Sequence, residues 1–160
     1  LDGDGPFSPE RSGGLPAGNV VNWCFAPGAT ERDVRRRITG RGGCLAYLGT
    51  ASGMEMEKRI HENDELAREV REAMAYQVAK EIGAMGAVLC GRVDAVILTG
   101  GLVHDRELAQ SIVRRVEFLG PVMLHPGEDE MSALALAAQR ALANPESVQT
   151  YPPRSAPHVD

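Results

Sequence analysis

Aromatic residues are scarce in this chain: Phe, Tyr and Trp fill 4% of its 160 positions, with a single Trp. So few flat side chains leave no basis for a protein that stacks nucleobases along a strand. Basic charge is in deficit as well. A net charge of −5 and a pI near 5.4 exclude affinity built on a nucleic-acid backbone, and no nucleic-acid partner is expected. No apolar run approaches the ~20 residues needed to span a bilayer, and the opening residues lack the pattern of a signal peptide, so no membrane partner is expected either. Cys24, Cys44 and Cys90 form no CxxC pair and are odd in number, which reads as reduced thiols of a cytoplasmic protein rather than a disulfide framework. His61, His104, His125 and His158 show no zinc spacing. There is no GxxxxGK[ST] loop, and TGGLVHDRE has the wrong spacing for GxGxxG.

An initiating Met is also missing. The chain starts at Leu1 directly in a loop, with no leading strand, and the expectation is a part of a longer polypeptide.

What is present is globular: 43% hydrophobic and 24% charged residues suffice for one domain with a core. Asp, Gly, Pro and Ser dominate residues 1–18, LDGDGPFSPERSGGLPAG, which predicts a long loop, ordered through the apolar anchors Leu1 and Phe7. Asn19 is placed to cap a short helix, NVVNWCFA, stopped by Pro27-Gly28. Thr30 and Asp33 resemble a capping box opening TERDVRRRI, ended by Gly40. Its triplet Arg35-Arg36-Arg37 lies among acidic residues and reads as a solvated face, not a nucleic-acid patch. In the glycine-punctuated GRGGCLAYLGT, the apolar residues Cys44 to Leu48 fit a strand or a buried turn. Ser52 and Glu55 then open a helix running to about His61.

The longest predicted element is a helix from Asp64 to about Cys90, with an apolar stripe through Leu66, Val70, Ala73, Met74, Val78, Ile82, Met85 and Leu89. Ala84, Gly86 and Ala87 make its second half small-sided, which calls for a close neighbour, and Gly91 ends it. VDAVILTGG, residues 93–101, follows as a buried strand closed by two glycines. Asp105 caps RELAQSIVRRVEFL, Gly120-Pro121 breaks it, and Val122 to His125 is a second strand. Strand, helix, strand with tight breaks is a βαβ unit, hence parallel. Pro126-Gly127 leads into Glu128-Asp129-Glu130, an acidic first turn for the helix EMSALALAAQRALA. Residues 144–160 read as a disordered tail.

Parallel strands bring their C-terminal loops to one edge, so Thr99-Gly100-Gly101 and the acidic trio should be neighbours. A glycine pair beside carboxylates suits a nucleotide with its metal, while a tight turn and ordinary helix capping would look the same. Arg11, in the glycine-flanked SPERSGG, is either an anion-binding cation or a surface ion-pair partner.

The segments LDGDGPFSPERSGGLPAG, GGCLAYLGT, EAMAYQVAKEIGAM, VDAVILTGG and PVMLHPGEDEMSALA, in that order, resemble the second half of the butyrate kinases, in the acetate kinase branch of the sugar kinase, actin and Hsp70 fold. The resemblance covers residues 1–143. It implies an α/β fold, a partial actin-like (ribonuclease H-like) C-terminal domain with βαβ units and a long central helix, the N-terminal domain being absent. It implies ATP and Mg2+ as cofactors, a short-chain carboxylic acid as substrate, and a homo-oligomer in the full-length form. Arg11 in ERSGG matches the arginine that stabilises charge on the transferring phosphoryl group. Thr99, Gly100, Gly101 and Leu102 match the adenosine-binding turn, with Gly49 and Thr50 also on the nucleotide. A magnesium-linked acid falls among Glu128, Asp129 and Glu130, and counting from Pro126 points to Asp129. Ser52-Gly53-Met54 departs from the family's Asp-x-Arg at that place, which weakens nucleotide contacts or shifts them elsewhere. The family's first domain and its two phosphate loops would precede Leu1, so the chain alone is expected to be inactive. The competing readings are a non-catalytic nucleotide-binding or oligomerisation fragment, and a kinase for acetate, propionate or branched acids.

Overall fold

A computed structural model describes residues 3–127 and 130–149, the side chains of Glu130 and Ser147 excepted. Leu1–Gly127 and Glu128–Asp160 are two compact units. The first holds six helices and both strands found among the described residues: α1 (Ala17–Cys24), α2 (Glu31–Ile38), α3 (Gly43–Leu48), α4 (Gly53–His61), α5 (Glu65–Val88), β1 (Val96–Gly100), α6 (Arg106–Val116) and β2 (Val122–Pro126). The second holds α7 (Glu130–Ala143) and a 3-10 turn, Pro145–Ser147. That turn lies inside the stretch expected to be a disordered tail; residues 150–160 fall outside the described ones, as does the anchor Leu1.

Capping chemistry sets most helix starts. The side chains of Thr30, Ser52, Asp64 and Asp105 accept hydrogen bonds from the backbone N–H three residues on, at the starts of α2, α4, α5 and α6. Asn19 does not act this way. α1 begins two residues earlier, behind Pro16 as its N-cap, without a side-chain cap. The larger correction is at Cys44 to Leu48, which is neither strand nor turn but helix α3. Its free N-terminal donors are satisfied from outside: Cys44 N–H donates to the Ser8 carbonyl and Leu45 N–H to that of Pro9.

α5 is the central helix, and the face it buries is rotated from the predicted stripe. Val70 and Met74 are buried as expected, together with Ala67, Ala75 and Ala79, whereas Leu66, Ala73, Met85 and Leu89 are exposed. The small-sided second half does receive a close neighbour, since a Cβ on Gly86 would meet Leu119 at 2.9 Å. Two links bind α5 to α6. Arg71, buried, pairs with Glu107. Glu72 accepts hydrogen bonds from the buried Ser111 hydroxyl at 3.0 Å and from Arg115 at 2.9 Å, and Arg115 also donates to the Ser111 oxygens.

β1 and β2 form a two-stranded parallel sheet in the register Val96↔Val122 to Gly100↔Pro126, as the βαβ reading requires. β1 is not buried on both faces: Val96 and Leu98 face the core, while Ile97 is 61% exposed. A 3-10 turn, Gly101–His104, separates β1 from α6, and another, Glu117–Leu119, follows it, so Leu119 lies just beyond the helix. The core gathers Phe7, Cys44, Leu48, Met56, Met74, Leu98, Leu108 and Val116 around α5. The three cysteines are free. Among the described residues no helix is long and apolar enough to cross a membrane.

Candidate functional site: a cleft at the glycine edge of the sheet

Residues 8–13 make a turn locked by glycines. Ser8 and Arg11 bond reciprocally, Ser8 N–H to the Arg11 carbonyl and Arg11 N–H to the Ser8 hydroxyl. Arg11 also bridges Thr39, and Ser12 N–H donates to the Ile38 carbonyl at 3.0 Å. Gly42 and Gly43 thread beneath this turn. A Cβ on Gly43 would lie 1.9 Å from the Ser8 oxygen, and one on Gly42 2.7 Å from Ser12 N. Gly13 presses on the Phe7 backbone in the same way, at 2.5 Å. The fixed backbone presents the Arg11 side chain exposed, and among the described residues no hydrogen bond or ion pair holds its guanidinium. The sequence signal for this lock was the doubled glycine of GRGGC, which punctuation alone also explains.

The turn after α3 is held from below. Gly49 ends α3 in the left-handed conformation, φ +71°, and the Thr50 hydroxyl accepts from Ser52 N–H. Arg59 donates to the Leu48 carbonyl at 2.7 Å and to the Asp64 carboxylate at 2.8 Å, tying the end of α3 to the start of α5. The N–H of Ala67, the first cause, and Arg59, the second, hold the Asp64 carboxyl below its ordinary range. Ser52 is used as the cap of α4.

At the end of β1, Gly100 takes φ +93°, a conformation for which glycine is suited, with open space where a Cβ would stand. Its carbonyl accepts from Gly127 N–H at 3.3 Å, and Gly127, at φ +122°, is likewise open. The neighbouring strand ends thus expose a strip of backbone that a ligand can approach closely. Leu102 joins the three segments. It lines a cavity of about 380 Å3 together with Pro6, Phe7, Ser8 and Thr99, and a small hollow with Pro9, Ala51, Ser52 and Gly53. Thr99, Leu102, the turn after Thr50 and the loop before Arg11 therefore meet; Arg11 itself lines neither space.

Glu128 and Asp129 lie outside the described residues, as does the side chain of Glu130, which opens α7. Among the described residues no three His, Cys, Asp or Glu side chains stand together to hold a metal ion.

The model of the acetokinase family matches residues 5–147. The chain belongs to the acetokinase family. Over 151 residues, 94% of the chain, it is 48% identical to a probable butyrate kinase of Listeria monocytogenes, and over the same share it is 45% identical to butyrate kinase 2 of Clostridium acetobutylicum. In each case it spans 42% of the relative's length. Its fold is similar to that of an acetate kinase from Porphyromonas gingivalis, with a TM-score of 0.74 at 20% identity over 85% of this chain and 41% of that one. A propionate kinase from Francisella tularensis gives 0.69 at 19% identity, over 80% and 39%. An actin-like α/β fold is therefore shared with acetokinase-family enzymes, while sequence identity places the nearer likeness with butyrate kinases.

Proposed function

We propose that this chain is the C-terminal part, over residues 1–143, of a kinase that phosphorylates a short-chain fatty acid, with butanoate the favoured acceptor. In that reaction a carboxylate oxygen attacks the γ-phosphorus of ATP, the bond to the bridging oxygen breaks, and acyl phosphate and ADP result. Such transfer needs charge stabilisation and in-line placement more than covalent chemistry. The unpaired guanidinium of Arg11 on a locked turn suits the first need. The open backbone at Gly100, with Gly101 beside it and Thr99 and Leu102 on the adjacent cavity, suits the adenosine end of the nucleotide, and Gly49 and Thr50 lead into the turn that shares a hollow with Leu102. Glu128, Asp129 and Glu130 remain the proposed source of the Mg2+-linked carboxylate. The convergence of three family-matched segments around Leu102 is the observation that carries this reading.

The chain alone is expected to lack activity. Joined to the portion of the Listeria monocytogenes relative outside the matched region, it should form butanoyl phosphate from ATP. Arg11→Ala in that chimera should lower kcat by about 10²–10³-fold, with little change in ATP affinity. Unchanged turnover would remove Arg11 from the mechanism; a folded chimera that binds no ATP would overturn the nucleotide assignment.

A further inference from the structure

The turn between α3 and α4 has little of its own to fix where it stands. Gly49 takes φ +71°, and a Cβ there would meet nothing within 4 Å. Among the described residues, the hydrogen bonds of residues 49–52 are local. Gly49 N–H donates to the Leu45 carbonyl, Ser52 N–H to the Thr50 hydroxyl, and the N–H groups of Glu55 and Met56 to Ser52 oxygens. Bonds so short in sequence give a turn its shape but not its place. One longer link does that. The Leu48 carbonyl, left without a helical partner where α3 ends, accepts from Arg59 Nη1 at 2.7 Å. On its other edge Arg59 forks onto Asp64, with Nε 2.8 Å and Nη2 2.6 Å from Oδ2. Asp64 Oδ1 in turn accepts from Ala67 N–H at 3.1 Å, at the start of α5. A planar guanidinium suits such a bridge, because its donors point in fixed directions. With two edges of Arg59 already engaged, its action on a ligand is indirect.

We propose that Arg59 is a positioning residue for the nucleotide: it sets the separation between the α3–α4 turn and Leu102, and through it the fit of the adenosine end. Ala51, Ser52 and Gly53 share a small hollow with Leu102, so a displaced turn moves one wall of the site relative to the open backbone at Gly100. α5, to which Arg59 is anchored through Asp64, lines the larger cavity with Met74, Val78 and Ile82. One side chain therefore holds two walls of the same site in register. The inference rests on the nucleotide reading of this turn and adds to it the residue that keeps the turn still.

The test is steady-state kinetics of the chimera with the Listeria monocytogenes relative, with adenosine as a competitor of ATP. Arg59→Ala should raise the KM for ATP and the inhibition constant of adenosine by about tenfold each, while kcat and the KM for butanoate stay within about twofold. Arg59→Lys, which reaches one acceptor at a time, should recover part of that loss. A purely structural role would lower the active fraction, and so kcat, without moving the KM for ATP. Glu72→Ala is the control: it loosens α5 against α6, away from the turn, and should leave the KM for ATP unchanged. If Arg59→Ala loses its circular dichroism spectrum, Arg59→Lys carries the test, with a rise of about threefold or more expected. Four results overturn the proposal: an unaltered KM for ATP in the folded Arg59 variants; a loss of kcat alone; an equal rise in Glu72→Ala; or a rise for ATP with none for adenosine, which would put Arg59 on the phosphates. A parent chimera that binds no ATP overturns the nucleotide assignment itself, and this inference with it.

Discussion

At Gly43 a single methyl group would collide with the Ser8 carbonyl, at a backbone φ of +63° that already disfavours any side chain. Gly43→Ala should therefore destabilise the fold by about 3 kcal/mol or more in urea unfolding. Gly91 is the control. It has similar backbone, φ +73°, but open surroundings, so Gly91→Ala should lose only about 1–2 kcal/mol. Equal losses would show that the turn carrying Arg11 is not held by close packing. Arg11, Gly100 and Leu102 were legible as candidates because short motifs carry them. The role of Gly43 was not, because its partner Ser8 lies 35 positions earlier, and distant carbonyls leave no mark on local pattern.

Among the elements, the short-range signals read well: the Thr30, Ser52 and Asp105 caps, the parallel pairing, and the long helix all stand where sequence placed them. α3 was missed because tertiary partners, the Ser8 and Pro9 carbonyls, satisfy its first turn. The apolar stripe on α5 was misread because its buried face is carried in large part by Ala67, Ala75 and Ala79, which weigh little in an apolar pattern, while Leu66 and Met85 are exposed. The polar join between these helices makes its own prediction. Glu72→Ala leaves the buried Ser111 hydroxyl and Arg115 without their acceptor, and should cost about 1–2 kcal/mol in chemical denaturation. Combined with Arg115→Ala, the total should fall short of the sum, because both members belong to one network. Strict additivity would mean the network contributes no coupling.

For the molecule as a whole, stability should form a plateau in pH with two differently caused shoulders. Asp64 has a lowered carboxyl pKa in the folded state, so its contribution is present above the unfolded value of 3.8 and is lost as pH falls through the folded one. Burial pushes the Cys44 thiol up from 9.0 to about 11, so its contribution is present below 9.0 and is lost as pH rises toward 11. Denaturation midpoints measured across pH should show that Asp64→Asn flattens the acid shoulder and Cys44→Ala the alkaline one. An unaltered profile in either variant would dissociate that group from the shoulder.

The pinning of Ser12 to Ile38, with Arg11 bridged to Thr39, also bears on how this part of the chain can change. The stretch between those contacts, carrying α1 and α2, leaves and returns at one point. Loop closure grows only slowly more costly with length, so the part of this excursion beyond Gly13 can lengthen or shorten with little shift in the backbone at Arg11. It is a detachable appendage hung from a fixed hook. Sequence change within α1 and α2 is therefore uncoupled from the turn that presents the Arg11 side chain.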